Sequence, residues 1–384
     1  MVQELFFQIS SMVLIMSGMF FKPKRELDIK YHYPALALLA WMIVEFFIND
    51  RMGYAVLTNF VLGLGVYATV ARHADKSNIK MIYKTLVYVA VFSIIYLAFQ
   101  YMGWDMRGQG VKDQAGIAPL CSIFGIENVF GAYVAVVIPC LMVFLGWIGS
   151  VFIIPVIFAK STGAILGGTL GILFFLWFRK RIFFWIMIIP ILAGSFLFVI
   201  KIDNPMGMQK TRLNMWGKVI QDSFSKPLGH GLDSFRNDQR EGSIKYFKYP
   251  YSNESLRIVR EKDNLKMEQV PDPKFYVWVQ QFQKSNGDKI PLDFWDHPHN
   301  EYIWIFYELG IPGLAIFIWM VFGVWRRFSQ SDKNMFAVCS MSMITILAIY
   351  STVQFPLHLA RIGCLMPVIF GMFYATTEHK FGTD

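Results

Sequence analysis

The chain has 384 residues, of which 55% are apolar, 17% aromatic and only 16% charged, and its mean hydropathy is +0.42. Soluble domains carry about 25% charged residues, so these figures exclude an ordinary soluble fold and point to a polytopic membrane protein. The formal net charge of +9 is gathered in short loops between apolar runs, a distribution that reports topology and is no argument for nucleic acid.

Apolar runs long enough to cross about 30 Å of hydrocarbon fall near 5–21, 33–48, 54–71, 81–100, 129–146, 182–200, 311–325, 335–353 and 360–377. The stretch 147–178 is interrupted by Lys160-Ser161-Thr162-Gly163 and reads as two further spans, the first of them short. The expected fold is all-α, with about eleven transmembrane helices. The first run lacks a basic leader and a small-x-small cleavage site, so it reads as a retained helix.

Alternate loops are strongly basic. They carry Lys22, Lys24, Arg25 and Lys30, then Arg72, Lys76, Lys80 and Lys84, then Arg179, Lys180 and Arg181, then Arg326, Arg327 and Lys333. Translocating such loops is disfavoured, which makes this set cytoplasmic and puts the 101–128 loop, Lys160 and the long 202–299 segment outside. The expected organisation is helices over 1–201, an external loop over 202–299 and further membrane helices over 300–384.

In chain order, the first four spans hold little chemistry apart from Glu45, an acid inside an apolar run that needs a helix–helix hydrogen bond or a cavity. Glu127 and Asn128 stand at the external mouth of the fifth span, either as a cap or as part of a polar site. Lys160 either snorkels to the headgroups or contacts an anionic ligand, and Gly167, Gly168 and Gly171 after it allow close helix packing.

Nearly a hundred residues of loop over 202–299 demand a reason. Its first part places Leu213, Trp216, Val219, Ile220 and Phe224 at helical spacing, with Arg212, Lys218 and Gln221 on other faces, as in an amphipathic helix lying along a membrane. The turn Pro227-Leu228-Gly229-His230-Gly231, continuing to Phe235 and Arg236, could bring backbone amides close to an anion at Gly229 and Gly231, or be only a turn. Aromatics mixed with charges from Asn237 to Asn286 suit either carbohydrate contact or a small folded cap.

The segment Asp296-His297-Pro298-His299-Asn300 returns the chain to the membrane and sets two histidines at the water–lipid boundary. Pro298 and Asn300 mark a helix start, Leu309-Gly310 its end, and Pro312 the start of the next. A histidine at a helix N-terminus is kept neutral by the dipole and is suited to act as a base.

Five pieces in this order resemble the O-antigen ligase family, which includes O-antigen polymerases and bacterial O-oligosaccharyltransferases. They are Gly125-x-x-Asn128, the Lys160-Ser161-Thr162-Gly163 hinge, Arg212-x-x-x-Trp216, Pro227-Leu228-Gly229-His230-Gly231 with Phe235, and His299-Asn300-x9-Gly310-x-x-Gly313. The likeness runs over about 124–375; before that the chain matches only as hydrophobic helices. It implies a GT-C-like inner-membrane glycosyltransferase that uses a glycan on undecaprenyl diphosphate, works on the periplasmic side, and needs no metal or other cofactor. It carries His299 over as the residue that engages the acceptor hydroxyl and Arg212 as a ligand of the donor diphosphate. Lys160, Arg236, Asn128, Asn300, His297, Gly229 and Gly231 complete the expected substrate-binding set. The family hinge commonly reads Ser-Arg-Gly, whereas Thr162 stands at the arginine position here, so Lys160 is the candidate for the missing charge.

The acceptor, lipid A-core for a ligase, is equally open to being a growing glycan or a protein hydroxyl; the short chain favours the ligase. Two other classes remain. Asp296, His297 and His299 could belong to a zinc hydrolase, although the i, i+2 histidine spacing fits one helix face poorly. A non-catalytic transporter is the second.

Overall fold

The computed structural model of the protein describes residues 2–49, 53–102, 127–159, 161–186, 188–189, 205–235, 266–270, 279–283, 298–354 and 360–377. Lys160, Arg236 and His297, the rest of the 101–128 loop, residues 190–200 of one expected span and most of 202–299 lie outside these residues.

Among the described residues the helices are α1 (Val2–Phe20), α2 (Tyr33–Ile48), α3 (Tyr54–His73), α4 (Lys76–Tyr101), α5 (Glu127–Leu145), α6 (Ile153–Phe158), α7 (Thr162–Arg179), α8 (Pro205–Ser225), α9 (Glu301–Gln330), α10 (Met335–Tyr350), α11 (Ala360–Gly363) and α12 (Leu365–Thr376). One short antiparallel ribbon, β1 (Lys266–Val270) with β2 (Val279–Gln283), pairs Lys266 with Gln283 and departs from the all-helical expectation. By length and composition five helical stretches can cross a membrane, namely Tyr54–His73, Lys76–Gln100, Asn128–Phe158, Thr162–Arg179 and Glu301–Gln330, with shorter apolar helices beside them. The protein is a polytopic membrane protein; eleven spans are not counted among the described residues.

Helix α5 is the axis of the bundle. Every residue from Val129 to Met142 is buried, which is the behaviour of a helix apolar on all faces, and α4, α7 and α10 pack around it. The short expected span after it returns as a tight 3-10 turn, Gly146–Phe152, followed by α6. A 3-10 helix rises about 2.0 Å per residue against 1.5 Å in an α-helix, so few residues suffice to climb back along α5. At the top, a Cβ on Gly131 would touch Ala159 and Ser161 at 3.1 and 3.2 Å, so the hinge sits against the start of α5.

Helices α7 and α10 meet along a glycine stripe. A Cβ on Gly167 would lie 3.0 Å from the Ile346 carbonyl oxygen, and one on Gly171 would lie 2.3 Å from Ile346 Cγ1. Flanking this contact is a shallow, open apolar groove lined by Leu170, Leu173, Phe174, Trp177, Phe184, Ile188, Thr345 and Ile349.

The basic loops gather at one end. Lys24 pairs with Asp75 at 2.5 Å, Arg179 donates to the Lys333 carbonyl at 3.3 Å, and Arg327 lies over the rings of Tyr374 and Tyr31. Asn128, Ser161, Tyr350 and His299 belong to the opposite end.

Glu45 is fully buried in α2 and its hydrogen bond comes from Asn49, one turn on in its own helix, not from a neighbouring helix. Helix α8 is amphipathic, but its faces differ from those read from the sequence. Met215, Val219 and Ser223 point inward, with Met215 and Val219 against Trp304 and Tyr307 of α9, whereas Leu213, Ile220 and Phe224 are exposed. The apolar residues thus form two faces, one for the protein and one left outward.

Candidate active site

The site is built where three backbone segments are bolted together. Helix α9 is broken at Gly310, whose φ of 66° and ψ of −164° are not helical; the expected end at Leu309-Gly310 with Pro312 just inside the next segment is where the break falls. At that break the glycine-rich turn docks. Three of its amides are committed: Gly229 N–H donates to Lys226 O at 2.9 Å, His230 N–H to Tyr307 O at 2.9 Å and Gly231 N–H to Glu308 O at 3.0 Å. Ile311 N–H returns a bond to Pro227 O at 2.8 Å. These bonds occupy the amides that Gly229 and Gly231 would offer an anion: Gly229 N–H closes the turn on itself, and the N–H groups of His230 and Gly231 cap carbonyls freed at the helix break.

The two glycines are there for space and for their positive φ, 117° at Gly229 and 98° at Gly231. A Cβ on Gly229 would come within 2.4 Å of Glu308 O, and one on Gly231 within 2.7 Å of Asn49. The His230 ring stacks on Tyr307 with centroids 4.0 Å apart. The motifs around Pro227 and around Gly310, distant in sequence, are two halves of one junction.

His299 sits in front of α9 with φ of 51°, an uncommon conformation for a side-chain-bearing residue and one that requires support from its surroundings. Asn300 supplies it. Its Oδ1 caps α9 by accepting from Ile303 N–H at 3.1 Å, and its Nδ2 donates to Thr352 O at 2.8 Å. Glu301 N–H adds a bond to Ser351 O at 2.9 Å. Asn300, expected among substrate-binding residues, is therefore a strap that ties the histidine to the end of α10; it is 8% exposed.

The His299 ring places Nδ1 3.1 Å from Gln354 Oε1. A carbonyl oxygen only accepts, so Nδ1 carries the proton and the lone pair lies on Nε2. Gln354 N–H in turn bonds Tyr350 O at 2.9 Å, which sets the imidazole one turn from Tyr350.

Arg212 reaches the same end of α10 from α8. Burial lowers its pKa, and the neighbouring Tyr350 hydroxyl opposes that shift. One turn further along α8, Trp216 Nε1 donates to Pro298 O at 2.6 Å. The Arg212-x-x-x-Trp216 spacing thus sets two residues on one helix face, with the indole against the strap of His299 and the guanidinium toward Tyr350. The Tyr350 hydroxyl donates to Asn128 O at 3.2 Å, which joins the mouth of α5 to the group through its backbone. Tyr350 and Gln354 were not singled out from sequence, and Ser161 entered only as part of the hinge. The first two lie in or beside an apolar run and carry no motif spacing.

The end of α10 thus has His299 beside it through Gln354 and Asn128 through its backbone carbonyl, and Trp216 sets the helix that bears Arg212 against Pro298, while Gly229, Gly231 and Asn300 hold the frame. The fold and site define a multi-pass membrane protein with a histidine and an arginine gathered at the end of the bundle away from its basic loops. No protein-family profile matches the chain. A curated protein of Rickettsia conorii named "Putative polysaccharide ligase" is 24% identical over 348 residues, covering 83% of this chain and 72% of its own length. That name agrees with the O-antigen ligase resemblance carried by the motifs.

Proposed function

We propose that the protein is a membrane glycosyltransferase of the O-antigen ligase family that moves a glycan from undecaprenyl diphosphate to an acceptor hydroxyl on the periplasmic face. The observation that carries the reading is that His299 is held by Gln354 at the end of α10 while Trp216, one turn along from Arg212, bonds Pro298 O beside it. The name of the rickettsial relative supports glycan transfer as the class of reaction.

In this mechanism His299 Nε2 takes the proton from the acceptor hydroxyl as its oxygen forms a bond to the anomeric carbon. The bond from that carbon to the diphosphate oxygen breaks, and the lipid diphosphate leaves with the electron pair. Arg212 lies in a partly dry setting, where a guanidinium stabilises growing phosphate charge well. General-base assistance contributes roughly 100- to 10,000-fold, and positioning supplies much of the remainder. The ligase type, with lipid A-core as acceptor, is the preferred form; a polymerase or a protein O-oligosaccharyltransferase uses the same chemistry on another hydroxyl.

The test uses the full chain in lipid nanodiscs with undecaprenyl-diphosphate glycan and each acceptor class in turn. Glycan transfer by the wild type and none by His299→Ala is expected, and the acceptor that is glycosylated names the subtype. Passage of the lipid-linked glycan across sealed vesicles with no product on any acceptor overturns the reading in favour of a transporter. Activity lost in chelator and restored by zinc overturns it in favour of a metal hydrolase.

A further inference from the structure

The inner half of the bundle holds a set of side chains that sugar transfer does not use. Four cysteines occur in the whole chain, and two of them, Cys140 of α5 and Cys339 of α10, meet with their sulfurs 3.8 Å apart. Cys140 Sγ also lies 3.5 Å from Met343 Sδ. Cys339 and Met343 stand one turn apart on α10 and so share a face. All three side chains are fully buried, and neither thiol is in a disulfide. Single buried sulfurs are ordinary apolar filler, but three of them gathered from two helices make a ligand set. Sulfurs bound to one metal at about 2.3 Å each stand roughly 4 Å from one another, and Cys140 has both neighbours near that spacing. Thiolate and thioether together select monovalent copper, whereas zinc takes four ligands drawn from thiolate, imidazole and carboxylate.

The surroundings suit an ion. The Tyr83 hydroxyl lies beside both thiols, bonds Ser340 Oγ at 2.6 Å and donates to Phe336 O at 3.1 Å. Phe336 belongs to the first turn of α10, which Asn334 caps, so a polar path leads from that end of the helix to the sulfurs. A hydroxyl next to a thiolate supplies the donor that such a charge needs in a dry interior. This is the end of the basic loops, where Arg179 reaches Lys333 O, and the positive-inside rule makes it the cytoplasmic one. Thiols stay reduced in that compartment, and copper there is monovalent.

We propose that Cys140, Cys339 and Met343 form a three-coordinate site for copper(I), a clamp between α5 and α10. Copper(I) replaces the protons of the two thiols, which leave to solvent, and accepts a lone pair from each of the three sulfurs; no electron is transferred. Cys339 precedes Tyr350 by about three helical turns, roughly 16 Å, so the metal takes no part at His299 and the proposal stands apart from the transfer reading. Its effect is mechanical. Helices α5 and α10 join at their outer ends through Tyr350 and Asn128 O, and a clamp at their inner ends fixes the register between them.

The test titrates the purified full chain in lipid nanodiscs with copper(I) alone, without oxygen and against the chelator bicinchoninate, and reads the sulfur-to-copper charge-transfer band and copper K-edge absorption. One copper(I) per chain with sulfur neighbours only is the expected result. Cys140→Ala and Cys339→Ala are each expected to weaken binding by about 100-fold or more, since even a partner outside the ligand shell is worth about 10- to 100-fold. Met343→Leu keeps the side-chain volume and so the fold, and is expected to weaken binding by about tenfold or more. Copper(I) should also raise the midpoint of thermal unfolding of the wild type and leave that of Cys140→Ala unchanged. Failure of the wild type to take copper from the chelator overturns the proposal. So does binding of wild-type strength in Met343→Leu, which removes the thioether from the site, or in the double variant Cys140→Ala, Cys339→Ala, which assigns the metal to sulfur elsewhere in the chain.

Discussion

Replacing Gly310 by alanine tests the junction that organises the site. The residue has φ of 66° and ψ of −164°, a region that costs a side-chain-bearing residue about 1–3 kcal/mol. The added Cβ would lie 2.3 Å from the Leu228 carbonyl carbon and 2.4 Å from Pro227 O, and forcing extra volume against backbone costs a further ~1–3 kcal/mol. Separation of the two segments also weakens the bonds from His230, Gly231 and Ile311 N–H, at about 0.5–1.5 kcal/mol each. The combined loss is on the order of 3–10 kcal/mol. The internal control is Gly323→Ala in the same helix, where a Cβ meets nothing within 4 Å and better helix propensity leaves stability equal or slightly raised. Unfolding of both variants in detergent, followed by tryptophan fluorescence, is the assay. Gly310→Ala as stable as Gly323→Ala would refute the account of the junction.

The remaining predictions concern the chemistry and the basic end. Gln354→Leu removes the acceptor that fixes the His299 tautomer, so kcat should fall about 10- to 100-fold with donor KM little changed; an unaltered pH–rate profile would argue against orientation of the ring. Arg212→Lys keeps a charge but loses the planar fork, so donor KM should rise more than kcat falls, as steady-state kinetics against donor concentration will show. At the other end, the hydrogen bond from Lys24 and then that from Asn78 N–H hold the Asp75 carboxyl below the usual carboxylate range. A depressed folded-state pKa contributes stability that is present above the unfolded value of about 3.9 and is lost as pH falls through the folded one. Asp75→Asn keeps the cap and removes the charge, so it should cost under about 1 kcal/mol at neutral pH, as for an exposed pair. That cost should vanish in acid; a difference that persists there would assign the effect to capping.

Much of the architecture was legible because hydrocarbon imposes a local rule: a segment apolar over its length and able to bond its own backbone becomes a helix wherever it lies. The runs 33–48 and 54–71 reappear as Tyr33–Ile48 and Tyr54–His73. The interruption at Ser161 begins Thr162–Arg179, and the break at Gly310 was readable from glycine and proline placement. Each of these depends on neighbours in the chain.

What needed the tertiary structure depends on residues far apart. Periodicity marked Met208 to Phe224 as amphipathic, but only packing against α9 chose Met215 and Val219 as the inner face of the helix Pro205–Ser225. The turn at Gly229 was open to being an anion nest or only a turn, and the carbonyls of Tyr307 and Glu308 take the donors of His230 and Gly231. Tyr350 and Ser161 read as ordinary span and hinge residues, since no spacing rule records that the start of α7 lies against the end of α10. Sequence determined which segments are helices and where they stop, because those are short-range choices of solvent and backbone. The folded chain alone decided which polar groups face one another, because that follows from long-range packing that leaves no period in the residues it joins.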